Sequence, residues 1–257
     1  MSQRIVITGA SSGIGRALAL HYARRGARLG LIGRDNERLE GVAKECRALG
    51  SETTTAVIDV RHRADLGRWI REFDGVVPVD LVIANAAVME GTPPGGEIEP
   101  PDAAYALIET NVLGVLNTVQ PLLPAMMARR HGQIVLISSI AGFVPLADSP
   151  SYCASKAALI SYGRSLRDLL MPYGVGVSVV CPGYIETPMS QREHGPKPFV
   201  MPAEKAAAVI ARGIERNVET LVLPRFFGTM TRITGMLPER LRRRINGSFR
   251  FTVGDPL

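Results

Sequence analysis

The sequence predicts an α/β fold: a doubly wound, seven-stranded parallel sheet with helices on both faces, followed by a C-terminal helical extension. Three observations predict it. Short β-branched runs alternate with longer helical patterns through the first two-thirds of the chain. The strand candidates read as continuous apolar runs, as strands buried on both faces do. A chain of 257 residues, 46% of them hydrophobic, is long enough to bury such a sheet in one domain.

Taken in order, the β-branched run RIVITG at 4–9 is the first strand candidate, and a helical pattern from Gly13 to Arg25 follows it. ARLGLIG at 27–33 is the second strand, Asp35 to Leu49 the second helix and TTTAVIDV at 53–60 the third strand. Asp65 to Phe73 leads into VDLVIANAA at 79–87, and the long helical stretch Asp102 to Arg130 into GQIVLISS at 132–139. Ser151 to Met171 precedes GVSVVC at 176–181, and Pro202 to Asn217 precedes TLVLP at 220–224. Parallel strands need crossovers, and these helices supply them. Two stretches break the rhythm: Gly91 to Pro101, rich in Gly and Pro, and Pro182 to Phe199, long, polar and marked by four prolines. Long loops after strands are where α/β enzymes place substrate contacts.

Residues 1–224 form the expected domain, and 225–257 a basic, amphipathic extension of it. The formal charge is +6, but residues 225–257 hold seven Arg against Glu239 and Asp255, so the rest is nearly neutral. That leaves no broad basic face, and nucleic acid is not an expected partner. Within the extension, Met230, Ile233, Leu237, Leu241 and Ile245 recur at helical spacing beside Arg240, Arg242, Arg243 and Arg244. Such a stripe either packs on the domain or a second subunit, or rests on anionic lipid as a peripheral membrane contact. Cys46, Cys153 and Cys181 lie far apart with no CxxC pair, which argues against a disulfide framework or a metal site. The N-terminus lacks a signal-peptide core and no apolar run reaches the ~18 residues of a spanning helix, so a cytoplasmic protein is expected, membrane-associated only through the extension.

TGASSGIGRA, at Thr8 to Ala17, occupies the first strand-to-helix turn. Glycine permits positive φ and leaves no Cβ in the way, while a helix N-terminus presents N–H groups and partial positive charge to an anion. A pyrophosphate is the natural occupant. The spacing of Gly9, Gly13 and Gly15 matches TGxxxGxG rather than GxGxxG. Further along come Ile58 and Asp59 ending the third strand, ANAA at Ala84 to Ala87, TNVLG around Asn111, LISS with Ser139, YCASK with Tyr152 and Lys156, and PGYIET at Pro182 to Thr187. In this order, over roughly Ile5 to Thr187, the sequence resembles the short-chain dehydrogenases/reductases (SDR). Taken singly, Ser139 is equally a strand end, Asn111 a helix-kinking side chain, Asp59 a helix cap and the Tyr–Lys pair an exposed helical pair. Their order lifts them above that.

The resemblance implies a Rossmann-type sheet, a nicotinamide dinucleotide and a small-molecule ketone or alcohol as substrate. Catalytic roles fall to Asn111, Ser139, Tyr152 and Lys156. Tyr152 exchanges the proton with the substrate oxygen that Ser139 hydrogen-bonds, Lys156 tunes Tyr152 and holds the nicotinamide ribose, and Asn111 holds a water in a relay beyond Lys156. The dinucleotide falls to Gly9, Ser11, Ser12, Gly13, Ile14, Gly15, Arg34, Asp59, Val60, Asn85, Ala86, Tyr152, Lys156, Pro182, Gly183, Ile185 and Thr187. It also implies a homodimer or homotetramer built on the helices that hold Asn111 and Tyr152.

Chemistry supports these roles. Tyr152 and Lys156 are four apart and so share one helix face. Tyrosine ionises near pH ~10, and a nearby ammonium is expected to favour the phenolate by ~1 to 3 units, making proton exchange practical. LIGRD ends the second strand with Gly33 and Arg34, where NAD enzymes usually carry an acid for the ribose hydroxyls. Arg34 against a 2′-phosphate, worth ~1.5 to 3 kcal/mol, favours NADP(H) over NAD(H) by roughly 10- to 150-fold. Ser12 is not basic, so a second common NADP mark is missing.

ANAA departs from the family's NNAG, with Ala87 in place of a glycine, and Cys153 reads as a small packed residue rather than a reactive thiol. Phe143, Val144, Leu146, Tyr184, Ile185, Met189 and Phe199 are expected to shape an apolar substrate pocket. A triad hydrolase is the competing enzyme class, but His21, His62, His131 and His194 fit no signature. A dinucleotide-sensing or scaffold protein is the competing non-enzyme class, and an intact Ser139, Tyr152 and Lys156 set weighs against it.

Overall fold

The computed structural model describes residues 2–224, 226, 238, 240–241 and 250–254. Seven parallel strands form the sheet: β1 (Arg4–Thr8), β2 (Arg28–Gly33), β3 (Thr53–Val57), β4 (Leu81–Ala84), β5 (Gln133–Ile137), β6 (Gly176–Pro182) and β10 (Thr220–Leu223). Their order across the sheet is β10-β6-β5-β4-β1-β2-β3. Strand order reverses between β1 and β4, and in open α/β sheets ligands bind outside the carboxyl ends of the strands at such a switch point.

Alternation along each strand sends side chains to two cores. Ile5, Ile7, Leu81, Ile83, Val135 and Ile137 pack with helices α1 (Gly13–Ala23), α2 (Asn36–Ala48) and α9 (Ala203–Glu215). Val6, Val82, Ala84, Ile134 and Leu136 pack on the other face with α3 (Arg63–Val76), α5 (Gly114–Val119), α6 (Leu123–Arg129) and α7 (Pro150–Leu170). Gly163 of α7 is one place where this packing admits no side chain: a Cβ there would lie 2.3 Å from Val179.

Three expectations are corrected in detail. The single helix Asp102 to Arg130 is a series: α4 (Pro101–Ile108), a π turn at Glu109–Leu113, α5, a 3₁₀ turn at Gln120–Leu122, and α6. The π turn coincides with Asn111, whose side chain bonds a neighbouring loop, and Pro121 and Pro124 each lack an N–H for the α ladder. The strands TTTAVIDV, VDLVIANAA and GQIVLISS end early, at Val57, Ala84 and Ile137, so Asp59, Asn85 and Ser139 sit in loops at the strands' carboxyl ends. The loop after β6 is built rather than irregular, with β7 (Ile185–Glu186), α8 (Pro188–Gln191), β8 (Glu193–His194) and, beyond it, β9 (Met201–Pro202).

Of the expected helical extension, Met230, Ile233, Leu237, Ile245 and Arg242 to Arg244 lie outside the described residues, whereas Arg240 and Leu241 are helical and exposed. Further on, β11 (Thr252–Val253) pairs antiparallel with β8. Among the described residues, no helix is long and apolar enough to cross a membrane.

Candidate active site

The glycine turn is shaped by contact on both sides. Gly9 (φ +65°) and Gly13 (φ +53°) take the left-handed conformation, and a Cβ on Gly9 would lie 2.7 Å from the Ala86 Cα. Gly15 packs beneath the turn, where a Cβ would meet the Gly9 carbonyl oxygen at 2.2 Å. Asn85 holds the turn to the end of β4: its Nδ2 donates to the carbonyls of Thr8 (3.0 Å) and Gly9 (3.1 Å), and its own N–H donates to Thr8 Oγ1. Helix α1 carries no acid in its first turn, and the Ser12 side chain does not cap it. The result is a backbone cradle at a positive helix end, which fits a pyrophosphate.

At the tip of β2, Arg34 is exposed. The next residue, Asp35, is committed elsewhere: it accepts from the Arg38 N–H (3.0 Å) and Nε (2.7 Å), which hold its carboxyl below the ordinary range. Asp59 is likewise held low, chiefly by hydrogen bonds from the Arg61 side chain (2.7 Å).

Ser139 follows β5 and Tyr152 stands in the first turn of α7, with their hydroxyls hydrogen-bonded. Ala141 N–H donates to Ser139 Oγ (3.1 Å). Lys156, one turn after Tyr152, is 2% exposed and donates from Nζ to the Ile137 carbonyl (3.1 Å). Here the electrostatic expectation fails. Burial pushes the Tyr152 hydroxyl well above its ordinary value, partly offset by the Ser139 hydrogen bond, and pulls the Lys156 ammonium down to about 8. Removal from water penalises both charged forms, and it outweighs any help that ammonium gives phenolate across the 5.5 Å from Nζ to the tyrosine ring centre.

One cavity of about 420 Å³ gathers the cradle, Arg34, Asp59, Ser139, Tyr152 and Lys156, together with Ser11, Ser12, Ile14, Val60, Ala86, Pro182, Gly183, Ile185 and Thr187. Of the residues expected in the site, Gly15 and Asn111 do not line it. Asn111 is fully buried: its Oδ1 accepts from Val88 N–H (2.8 Å), and its Nδ2 donates to the Val88 carbonyl (2.9 Å) and Ser155 Oγ (3.2 Å). It ties the loop after β4 to α7 beside Lys156.

Val144, Leu146, Tyr184 and Met189 line the cavity as expected, but Phe143 and Phe199 do not. Phe143 packs with Ile160, Val179, Cys181 and Val222, while Phe199 stands exposed with its ring edge-to-face on Phe226 at 5.4 Å. Cys153 is buried, and burial raises its thiol above the ordinary range, so it is the packed residue expected.

The wall that sequence reasoning missed comes from the chain's end. Phe251 lines the cavity and packs with Met89, Leu146, Tyr152 and Met189. Buried Asp148 anchors it, pairing with Arg250 (2.7 Å) and accepting the Phe251 N–H (3.1 Å), while Val253 N–H donates to the Thr92 carbonyl and Gly254 N–H to that of Arg192. The alternation in FTV was its one signal, too short to show what it pairs with.

A model of the short chain dehydrogenase family matches residues 3–197. An uncharacterized oxidoreductase of Myxococcus xanthus is 35% identical over 92% of this chain and 93% of its own length. Estradiol 17-beta-dehydrogenase 11 of Rattus norvegicus is 30% identical over 97% and 86%. Among solved structures, a short-chain dehydrogenase from Sphingobium yanoikuyae in complex with NADPH superposes with a TM-score of 0.77 at 25% identity, covering 92% of this chain and 97% of that one. A glycine cradle at the switch point and a Ser, Tyr and Lys around one cavity are thus joined by sequence and by fold to the same set of enzymes. The chain belongs to the short-chain dehydrogenase family of NAD(P)-dependent dehydrogenases and reductases.

Proposed function

We propose that the protein moves a hydride between NADP(H) and a carbonyl or secondary alcohol of an apolar substrate, in the reducing direction, with Tyr152 as the proton donor. The observation that carries this reading is that Ser139, Tyr152 and Lys156 border the same cavity as the glycine cradle. The dinucleotide, when bound, supplies the hydride; the chain supplies orientation and the proton.

Burial keeps Tyr152 protonated at neutral pH, so its Oη holds a proton to give to a carbonyl oxygen. Ser139 Oγ accepts from Ala141 N–H, and its own hydrogen, shared between the Tyr152 hydroxyl and the Pro182 carbonyl (3.5 Å), can turn to the same substrate oxygen. Lys156 spends one of three N–H donors on Ile137 and has two left for ribose hydroxyls. Asn111 acts through its neighbours, fixing Val88 and Ser155, and the relay role rests on the family alone. Met89, Val144, Leu146, Met189 and Phe251 favour an apolar substrate.

Arg34 supports NADP(H), since the nearby acid Asp35 is occupied by Arg38 and is poorly placed to serve a ribose diol. Arg34→Asp is expected to lower the NADPH/NADH ratio of kcat/KM by roughly 10- to 150-fold. An unchanged ratio in steady-state assays with each coenzyme removes the assignment. Exposed Tyr105, Leu113 and Leu169 support a homodimer or homotetramer built on the helices around Asn111 and α7. The net +5 of residues 225–257 and the exposed Leu241 support a peripheral membrane contact there.

A further inference from the structure

Beyond Ser139, Tyr152 and Lys156, the substrate side of the cavity carries few polar side chains, and most are committed. Arg192 bonds the Glu90 carboxylate (3.1 Å) and the carbonyls of Met89 and Gly254 (both 3.0 Å). Ser190 closes a reciprocal pair of hydrogen bonds with Thr187. Glu193 differs. It borders the cavity, is 5% exposed, and has the Tyr184 hydroxyl as its hydrogen-bonding neighbour, with Lys197 close enough to act through charge.

This inward carboxyl is built in rather than accidental. Val253 pairs with Glu193 and Thr252 with His194, and on so short a strand successive side chains take opposite faces. His194 is exposed and Glu193 is buried. The segment that brings Phe251 to the cavity therefore also aims Glu193 into it. A carboxyl taken out of water is costly unless its oxygens are satisfied, and a carboxylate has about four acceptor positions. One phenol hydroxyl does not fill them.

We propose that Glu193, with Tyr184, is a specificity-determining residue that accepts a hydrogen bond from a substrate hydroxyl remote from the reacting oxygen. The preferred substrate is then an apolar hydroxy-ketone or the corresponding diol. This rests on the reading that Tyr152 faces the reacting oxygen. A neutral donor fits better than an ammonium, because Lys197 already places positive charge beside the carboxyl. Burial raises Glu193 to about 7, and both its acid and its carboxylate forms retain an acceptor oxygen.

The test uses a ladder of alkan-2-ones and their terminally hydroxylated counterparts, so that no span between the two oxygens is assumed. Binding to the full chain saturated with NADP⁺ is measured by calorimetry, and NADPH consumption is followed in parallel. At one chain length the hydroxyl is expected to tighten binding by about tenfold or more. Glu193→Leu removes that preference while the parent ketone binds at least as well, and Glu193→Gln, which keeps an acceptor oxygen, retains most of it. Hydroxylated and parent ketones binding alike at every length, or a preference that persists in Glu193→Leu, overturns the assignment; the wild-type ladder alone decides the first point if the leucine variant does not fold. A hydroxyl preference in binding without turnover of any ketone would leave Glu193 assigned and count instead against the proposed reduction of such ketones.

Discussion

Tyr152→Phe is expected to lower kcat/KM for ketone reduction by about 10³-fold, inside the ~10²–10⁴ that a positioned general acid contributes. Dinucleotide affinity should stay within about threefold, because the change deletes one oxygen and leaves the ring packed on Met89, Leu146 and Phe251. The same burial that raises the hydroxyl sets the pH dependence. Reduction needs the protonated phenol, which is the dominant form through neutral pH, so its rate should be flat there. Oxidation of an alcohol needs the phenolate and should climb with pH. Measured kcat/KM in both directions across pH, in the wild type and in the phenylalanine variant, separates these expectations. Retention of more than about a tenth of the activity by the variant would show that the proton comes from elsewhere.

What the amino-acid order conveyed was whatever depends on local pattern. The apolar runs and the glycine turn place β1, α1 and the sheet with little help from distant residues, and Tyr152 and Lys156 share a face because helices have a fixed pitch. Ser139 and Asn85 are legible through the motifs of the resemblance, while the strands that carry them end two to three residues earlier than the pattern predicts. The failures have one physical origin: they turn on contacts between distant segments. Phe143 and Leu146 look alike in sequence, but Phe143 turns to Ile160 and Val222 while Leu146 meets Tyr152. Phe251 reaches the cavity because Asp148, some hundred residues earlier, captures Arg250 and its neighbour's N–H. The π turn at Asn111 answers to Val88 and Ser155, on two other elements. The balance of charge between Tyr152 and Lys156 depends on how dry the site is, and four-residue spacing says nothing about that.

Lys156→Met sets function against stability. Activity should fall by about 10²-fold or more, because the donors for the ribose hydroxyls go with the amine. Stability turns on sign. The folded-state ammonium titrates at about 8, below the ~10.4 of an unfolded lysine, so between those values the unfolded chain holds a proton that the native chain has lost. Stability contributed by this group therefore rises as pH climbs from about 8 to ~10.4, and below pH 8 burial of the charge costs on the order of 3 kcal/mol in full. Methionine removes that cost but leaves the Ile137 carbonyl without its donor, a penalty of about 1–3 kcal/mol that does not vary with pH. At pH 7 the two nearly offset, so a single melting curve decides little. The pH slope does decide: in denaturant titrations without dinucleotide, the wild type should gain about 2–3 kcal/mol on the variant between pH 8 and pH 10. Comparing the two chains cancels every other group that titrates there. Parallel stability curves would mean that Lys156 keeps its charge at no cost, and hence that its ammonium is solvated or paired in the folded protein.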